Sequence, residues 1–152
     1  MSKNLTKESG LYVTATPIGN LGDITLRAIE VLKSVDFIAC EDTRVTIKLL
    51  RHFGMKVPLI SYHEHNANEM RPKIIARLHG GQRGALVSDA GTPLVSDPGL
   101  KLVEDVKNQG IKVTPIPGVS APITALMVAG IPSDRFLFDG FLPSKSGARI
   151  KA

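Results

Sequence analysis

Apolar and polar positions along the chain change period in regular alternation. Compact apolar, β-branched runs at 11–16, 37–40, 57–62, 85–87 and 111–116 read as strands. Between them, 25–32, 45–50, the stretch through Ile74, Ile75 and Leu78, 100–106 and 123–130 repeat apolar residues at helical spacing. A last run, 135–142, predicts a sixth strand, and 143–149 a basic, flexible segment. Strands alternating with helices predict an α/β fold, a doubly wound, mostly parallel sheet of five or six strands with helices on both faces. The expected division is a polar tail over 1–10, an α/β ligand-binding domain over 11–142 and a basic segment over 143–152.

The turns between these elements carry the polar chemistry. In an open parallel sheet, ligands lie beyond the carboxyl ends of the strands. That edge should hold Pro17-Ile18-Gly19, Glu41-Asp42-Thr43-Arg44, the central turn Ser88-Asp89-Ala90-Gly91-Thr92-Pro93, and Pro117-Gly118-Val119-Ser120-Ala121. Gly91 allows close backbone approach to a ligand and Asp89 supplies an acceptor, unless Asp89 only caps a turn. Asp42 or Thr43 is expected to cap the helix that Gly54 ends, and for Thr43 capping is favoured over ligand contact. Asn66 with Glu69 reads as a cap with its reciprocal acid, and Ala121, Ala125 and Ala129 as a stripe packing tightly on the sheet. Pro58 suggests an edge position for the third strand.

Composition narrows the class. With 152 residues, 43% of them hydrophobic, the chain suits one domain with a real core. No apolar run reaches membrane-spanning length and the amino end lacks the apolar block of a signal peptide, so a cytoplasmic location and no membrane partner are expected. The single cysteine, Cys40, reads as a buried apolar residue. A net charge of +5 favours an anionic partner. The basic residues look dispersed along the chain, with a modest cluster at Lys145, Arg149 and Lys151. His63-Glu64-His65 lacks metalloenzyme spacing, and no metal is expected. Dinucleotide and P-loop fingerprints are absent, as is a nucleophile elbow.

Five ordered motifs carry a resemblance. Thr16-Pro17-Ile18-Gly19-Asn20-Leu21-Gly22-Asp23, Cys40-Glu41-Asp42-Thr43-Arg44, His63-Glu64-His65-Asn66, Ser88-Asp89-Ala90-Gly91-Thr92-Pro93 and Gly140-Phe141-Leu142-Pro143 resemble the small-subunit ribosomal RNA methyltransferase I group of the tetrapyrrole methylase superfamily. The resemblance spans 11–149 and implies S-adenosylmethionine-dependent 2'-O-methylation of a cytidine in 16S ribosomal RNA, by a homodimer of two-domain chains. It matches the amino-terminal domain, so a second domain is expected after Arg149. It also implies that Pro17 and Gly19, then Val87, Ser88, Asp89 and Thr92, then Ser120 and Ala121, face the cofactor. Lys145 and Arg149 are candidates for RNA phosphates. Glu41, Asp42, Asp89 and His63 are candidate bases or orienting groups, none assigned. Methylation of a tetrapyrrole, or a half-domain inactive alone, are the alternatives.

Overall fold

The computed structural model describes residues 8–151. Five strands form one sheet: β1 (Gly10–Thr14), β2 (Phe37–Cys40), β3 (Leu59–Ser61), β4 (Arg83–Val87) and β5 (Val113–Ile116). Their order is β3-β2-β4-β1-β5, and every neighbouring pair is parallel. Parallel neighbours require crossovers. These are made by α1 (Leu26–Ser34), α2 (Thr43–His52), α3 (Ala67–His79) and α4 (Leu100–Asn108), followed by α5 (Ala121–Val128) and α6 (Ser146–Lys151). The inner strand β2 is buried on both sides, which is why its sequence is a continuous apolar run without alternation. β3, preceded by Pro58, lies at the sheet edge and is only half-buried, as its proline suggested.

Two cores sandwich the sheet. One joins Tyr12, Ile38 and Val87 to Val31 and Leu32 of α1 and Leu50 of α2; the other joins Leu11, Phe37 and Leu86 to Ile74 and Leu78 of α3 and Leu102 and Val106 of α4. The Phe37 ring lies across Gly84 of the neighbouring strand, where a Cβ would stand 2.4 Å from the ring. Cys40 is fully buried, and loss of hydration pushes its thiol pKa up, so it behaves as a small core residue. No helix of the described residues is long and apolar enough to cross a membrane.

The structure corrects several expectations. Residues 135–142 form no strand: Leu137, Phe141 and Leu142 are exposed, and the sheet ends at β5. An apolar run identifies a surface needing cover, but a strand also needs a neighbour's backbone, and here none is presented. The basic segment after Pro143 is helical in α6. The tail is shorter than expected: Gly10 already pairs in β1, Glu8 forms an ion pair with Lys112, and the remaining tail residues, 1–7, lie outside the described residues. Asp42 rather than Thr43 is the N-cap of α2, its carboxylate accepting from the Arg44 backbone N–H at 2.8 Å. The Asn66 side chain makes no cap bond with α3; it accepts from the His63 N–H and donates to the Ser61 carbonyl, while Glu69 pairs with Lys73. Finally, α5 buries no residue, so the stripe of Ala121, Ala125 and Ala129 is not packed on the sheet.

Candidate active site

Because β1, β2, β4 and β5 run parallel, the turns that leave them all emerge at one edge. Hydrogen bonds bind these turns together. Thr16 N–H donates to the Gly91 carbonyl at 2.9 Å and Gly91 N–H to the Thr16 carbonyl at 3.0 Å, a small antiparallel bridge beyond the end of a parallel sheet. The Thr16 hydroxyl also donates to the Ser88 carbonyl at 3.0 Å. Gly91 has φ +83°, a left-handed conformation that side chains resist, and this lets the turn fold back onto Thr16. Thr92 joins the central turn to the last one, its hydroxyl donating to the Val119 carbonyl at 3.0 Å. Asp89 reaches the β2 turn, Oδ1 accepting from the Asp42 N–H at 3.1 Å. Gly118 lies so close to β1 that a Cβ there would stand 2.9 Å from that of Ala15.

The cofactor-facing residues expected from the resemblance therefore divide by what their side chains do. Pro17, Gly19, Ser88 and Asp89 line one cavity of about 170 Å³ together with Thr16, Leu21 and Lys48. Val87 belongs to the core and can offer only backbone to a ligand. Ser88 is buried and its hydroxyl donates to the Gly91 carbonyl at 3.1 Å, so it shapes the turn; Thr92 does the same between turns. Ser120 and Ala121 stand at the start of α5, where Ser120 makes no side-chain cap and leaves backbone N–H groups available. Lys145 and Arg149 are exposed on or beside α6. Thr16 and Lys48 were not anticipated as lining residues. Thr16 opens the first motif, whereas Lys48 is an ordinary helix residue until α2 packs beside the first turn.

Acidic groups dominate the electrostatics. Partial loss of hydration pushes the Glu41 pKa up, with Asp89 and Asp97 adding to the shift and His63 opposing it. Asp97 is raised for the same first reason, with Asp89 reinforcing it. Asp42 moves the other way: hydrogen bonds from the Arg44 guanidinium and backbone N–H hold it at about 2, which leaves it a poor proton acceptor. His63 and His65 stand with ring centroids 5.9 Å apart, and among the described residues no three His, Cys, Asp or Glu side chains gather as a metal site.

Residues 10–149 match the family model of Tetrapyrrole (Corrin/Porphyrin) Methylases. The chain belongs to the tetrapyrrole methylase family. This tetrapyrrole methylase is 60% identical over 143 residues to the ribosomal RNA small subunit methyltransferase I of Mesorhizobium japonicum, covering 94% of this chain and 49% of the relative. Relatives of the same name from Pseudomonas aeruginosa and Vibrio cholerae are 55% and 53% identical, covering 91% and 98% of this chain and 49% and 53% of theirs. The chain thus spans about half the length of the curated relatives it matches. Among solved structures, uroporphyrin-III-C-methyltransferase from Thermus thermophilus superposes with a TM-score of 0.61 at 22% identity, over 82% of this chain and 53% of that one. Diphthine synthase superposes at 0.67 and 17% identity, over 83% and 51%. At such identities the likeness is one of fold, and it agrees with the parallel α/β architecture.

Proposed function

We propose that this chain is the amino-terminal half of an S-adenosylmethionine-dependent methyltransferase that methylates the 2'-hydroxyl of a cytidine in 16S ribosomal RNA. The observation that carries the reading is the bonded set of turns at one sheet edge, in a chain 53–60% identical to relatives named for methylating small-subunit ribosomal RNA. The donor set fits the cofactor. Asp89 and Lys48 both border the cavity, and Glu41 and Asp97, raised first by loss of hydration and then by the neighbouring carboxylates, add acidic groups near Asp89, a setting that suits a zwitterionic ligand carrying a sulfonium. Pro17, Gly19 and Asp89 would hold it directly, Val87 through its backbone, Ser88 and Thr92 by fixing the turns, and Ser120 and Ala121 through the free N–H groups of α5.

When bound, the cofactor supplies an electrophilic methyl group. What the chain must do is hold a ribose hydroxyl in line and receive its proton, since a neutral hydroxyl is a poor nucleophile. Glu41, Asp42, Asp89 and His63 are the candidates for the second task; Asp42 suits it least, because hydrogen bonds from Arg44 hold its pKa at about 2, whereas loss of hydration moves Glu41 the other way. Lys145 and Arg149 would meet RNA phosphates.

A cavity of about 170 Å³ is smaller than the roughly 300–1,000 Å³ of sites that enclose a drug-sized ligand. A second domain, following residues 143–152, would supply the missing wall. The uncovered apolar surface of α5 and of Phe136, Leu137, Phe141 and Leu142 is where that domain or the second copy of a homodimer would pack. The proposed location is the cytoplasm, where ribosomal subunits are found.

The test is incubation of labelled S-adenosylmethionine and 30S subunits with the 152-residue chain, beside a chain extended to its relatives' length. Label should appear at a cytidine 2'-hydroxyl with the longer chain, and weak cofactor binding without transfer is expected from the shorter. Transfer to a tetrapyrrole and not to RNA would overturn the proposal.

A further inference from the structure

The basic residues that look dispersed in the sequence are gathered by the fold. Between Asp42 and Glu64 the chain has no acidic residue, yet it carries Arg44, Lys48, Arg51 and Lys56, against a net charge of +5 for the whole chain. Arg44, Lys48 and Arg51 follow one another by four and three residues, so they occupy a single face of α2. That face is the outer one, since Thr46, Leu49 and Leu50 are the buried residues of the helix, and Lys48, Arg51 and Lys56 are exposed. Ion pairs among the described residues take up Arg44, Arg71, Lys73, Arg83 and Lys112, and leave Lys48, Arg51 and Lys56 without a carboxylate.

The position of these cations is informative. Lys48 lines the same cavity as Pro17, Gly19 and Asp89, on one side of α2. Arg51 and Lys56 line a separate cavity of about 340 Å³ on its other side, with Ile47, Met55 and Leu59 for its apolar floor. The three cations therefore lead away from the candidate active site along a helix and the turn that ends it. From Lys48 to Arg51 the helix advances about 4.5 Å and Lys56 follows in the turn beyond it, so the three long side chains can reach successive phosphates of an extended strand.

We propose that the outer face of α2 and the turn after it form a track for the backbone of single-stranded RNA, with Lys48, Arg51 and Lys56 on consecutive phosphates beside the reacting nucleotide. The inference rests on the proposed RNA substrate and deepens it, by naming an entry path separate from Lys145 and Arg149. Unpaired cations on a helix face give sequence-independent contacts and are released by salt, whereas the cavity beside Arg51 and Lys56 offers an apolar surface to one unstacked base.

The test uses the 152-residue chain and a fluorescent, cytidine-containing oligoribonucleotide, titrated by anisotropy at several salt concentrations. The variant pair Arg51→Ala and Lys56→Ala, called the α2 pair, removes one cation from the α2 face and one from the turn after it. A control pair, Lys101→Ala and Lys107→Ala, removes the same charge from α4 across the sheet. With about 0.7 in the salt slope for each phosphate contact, the α2 pair should flatten the plot of log affinity against log salt by about 1.4, while the control pair leaves it unchanged. Thermal melts confirm that both pairs are folded, as expected for exposed residues. Equal flattening by both pairs would reduce the effect to net charge and overturn the track, as would no flattening by either. Binding to phosphatidylserine vesicles that depends on the same α2 cations, with no RNA effect, would replace RNA by a membrane surface and also overturn it. The relatives' length of chain separates the two proposals: RNA methylation unaffected by the α2 pair defeats only the track, whereas no RNA methylation by the unaltered longer chain defeats the functional reading.

Discussion

Thr92 is the side chain that ties the central turn to the last one, and replacing it tests whether the turns act as a unit. Its hydroxyl donates to the Val119 carbonyl at 3.0 Å, and Ser120 and Ala121 follow that carbonyl directly. Thr92→Val keeps the shape and β-branching but removes the donor. A neutral hydrogen bond contributes about 1 kcal/mol net, which corresponds to about fivefold in the population of joined over separated turns. Cofactor affinity should fall by up to that factor, the full fivefold being reached where the separated turns dominate without the tie, and thermal stability should fall by no more than the same 1 kcal/mol. Thr92→Ser retains the hydroxyl and should restore most of the affinity. The assay is calorimetric titration with S-adenosylmethionine on a chain of the relatives' length, beside thermal melts without cofactor. Loss of melting temperature with unchanged affinity would refute the reasoning, because the tie would then serve the fold alone. A serine variant as weak as the valine one would also refute it, by placing the effect in the methyl group.

Two other outcomes follow from the acidic groups at the same edge. Asp89→Asn keeps an oxygen for the Asp42 N–H but removes the charge, so cofactor affinity should drop with little change in melting temperature, whereas Asp89→Ala should lose affinity and about 1 kcal/mol of stability as well; unchanged affinity in both would remove Asp89 from the site. Glu41 has a raised folded-state pKa, so its charged form weakens the fold above that pKa and the penalty disappears as pH falls towards the unfolded value; Glu41→Gln should therefore raise the melting temperature at neutral pH, with the gain vanishing in acid, and a gain that persists in acid would contradict the assigned cause.

Local pattern alone was enough to place the strands of this sheet and the turns at its carboxyl edge. Phe37 to Cys40 and Ala85 to Val87 are continuous apolar runs because both faces of an inner parallel strand meet helices, a demand that acts residue by residue and leaves a direct imprint. Gly54 and Gly110 mark helix ends for an equally local reason, each adopting a positive φ just beyond the last turn. Even the edge position of β3 was legible, through Pro58. The third dimension decided what each polar side chain does. Thr92 and Ser88 are ligand candidates by motif, but Thr92 spends its hydroxyl on a carbonyl of the neighbouring turn and Ser88 on one within its own. Asn66 has the spacing of a cap but bonds backward to Ser61 and His63.

The same limit applies to apolar surface. Residues 135–142 and the alanines of α5 carry the composition of a strand and a packed helix, yet hydrophobicity says only that a surface needs cover, not which element provides it. Charge behaves alike: Lys48 and Arg51 are scattered among apolar residues in the sequence and share one outer face only when α2 turns Thr46, Leu49 and Leu50 inward, with Lys56 following in the turn beyond the helix. Periodicity belongs to a single segment and can be read from it. Partnership depends on which segments meet, and that was set by the order β3-β2-β4-β1-β5, in which β1 lies between two strands that come much later in the chain.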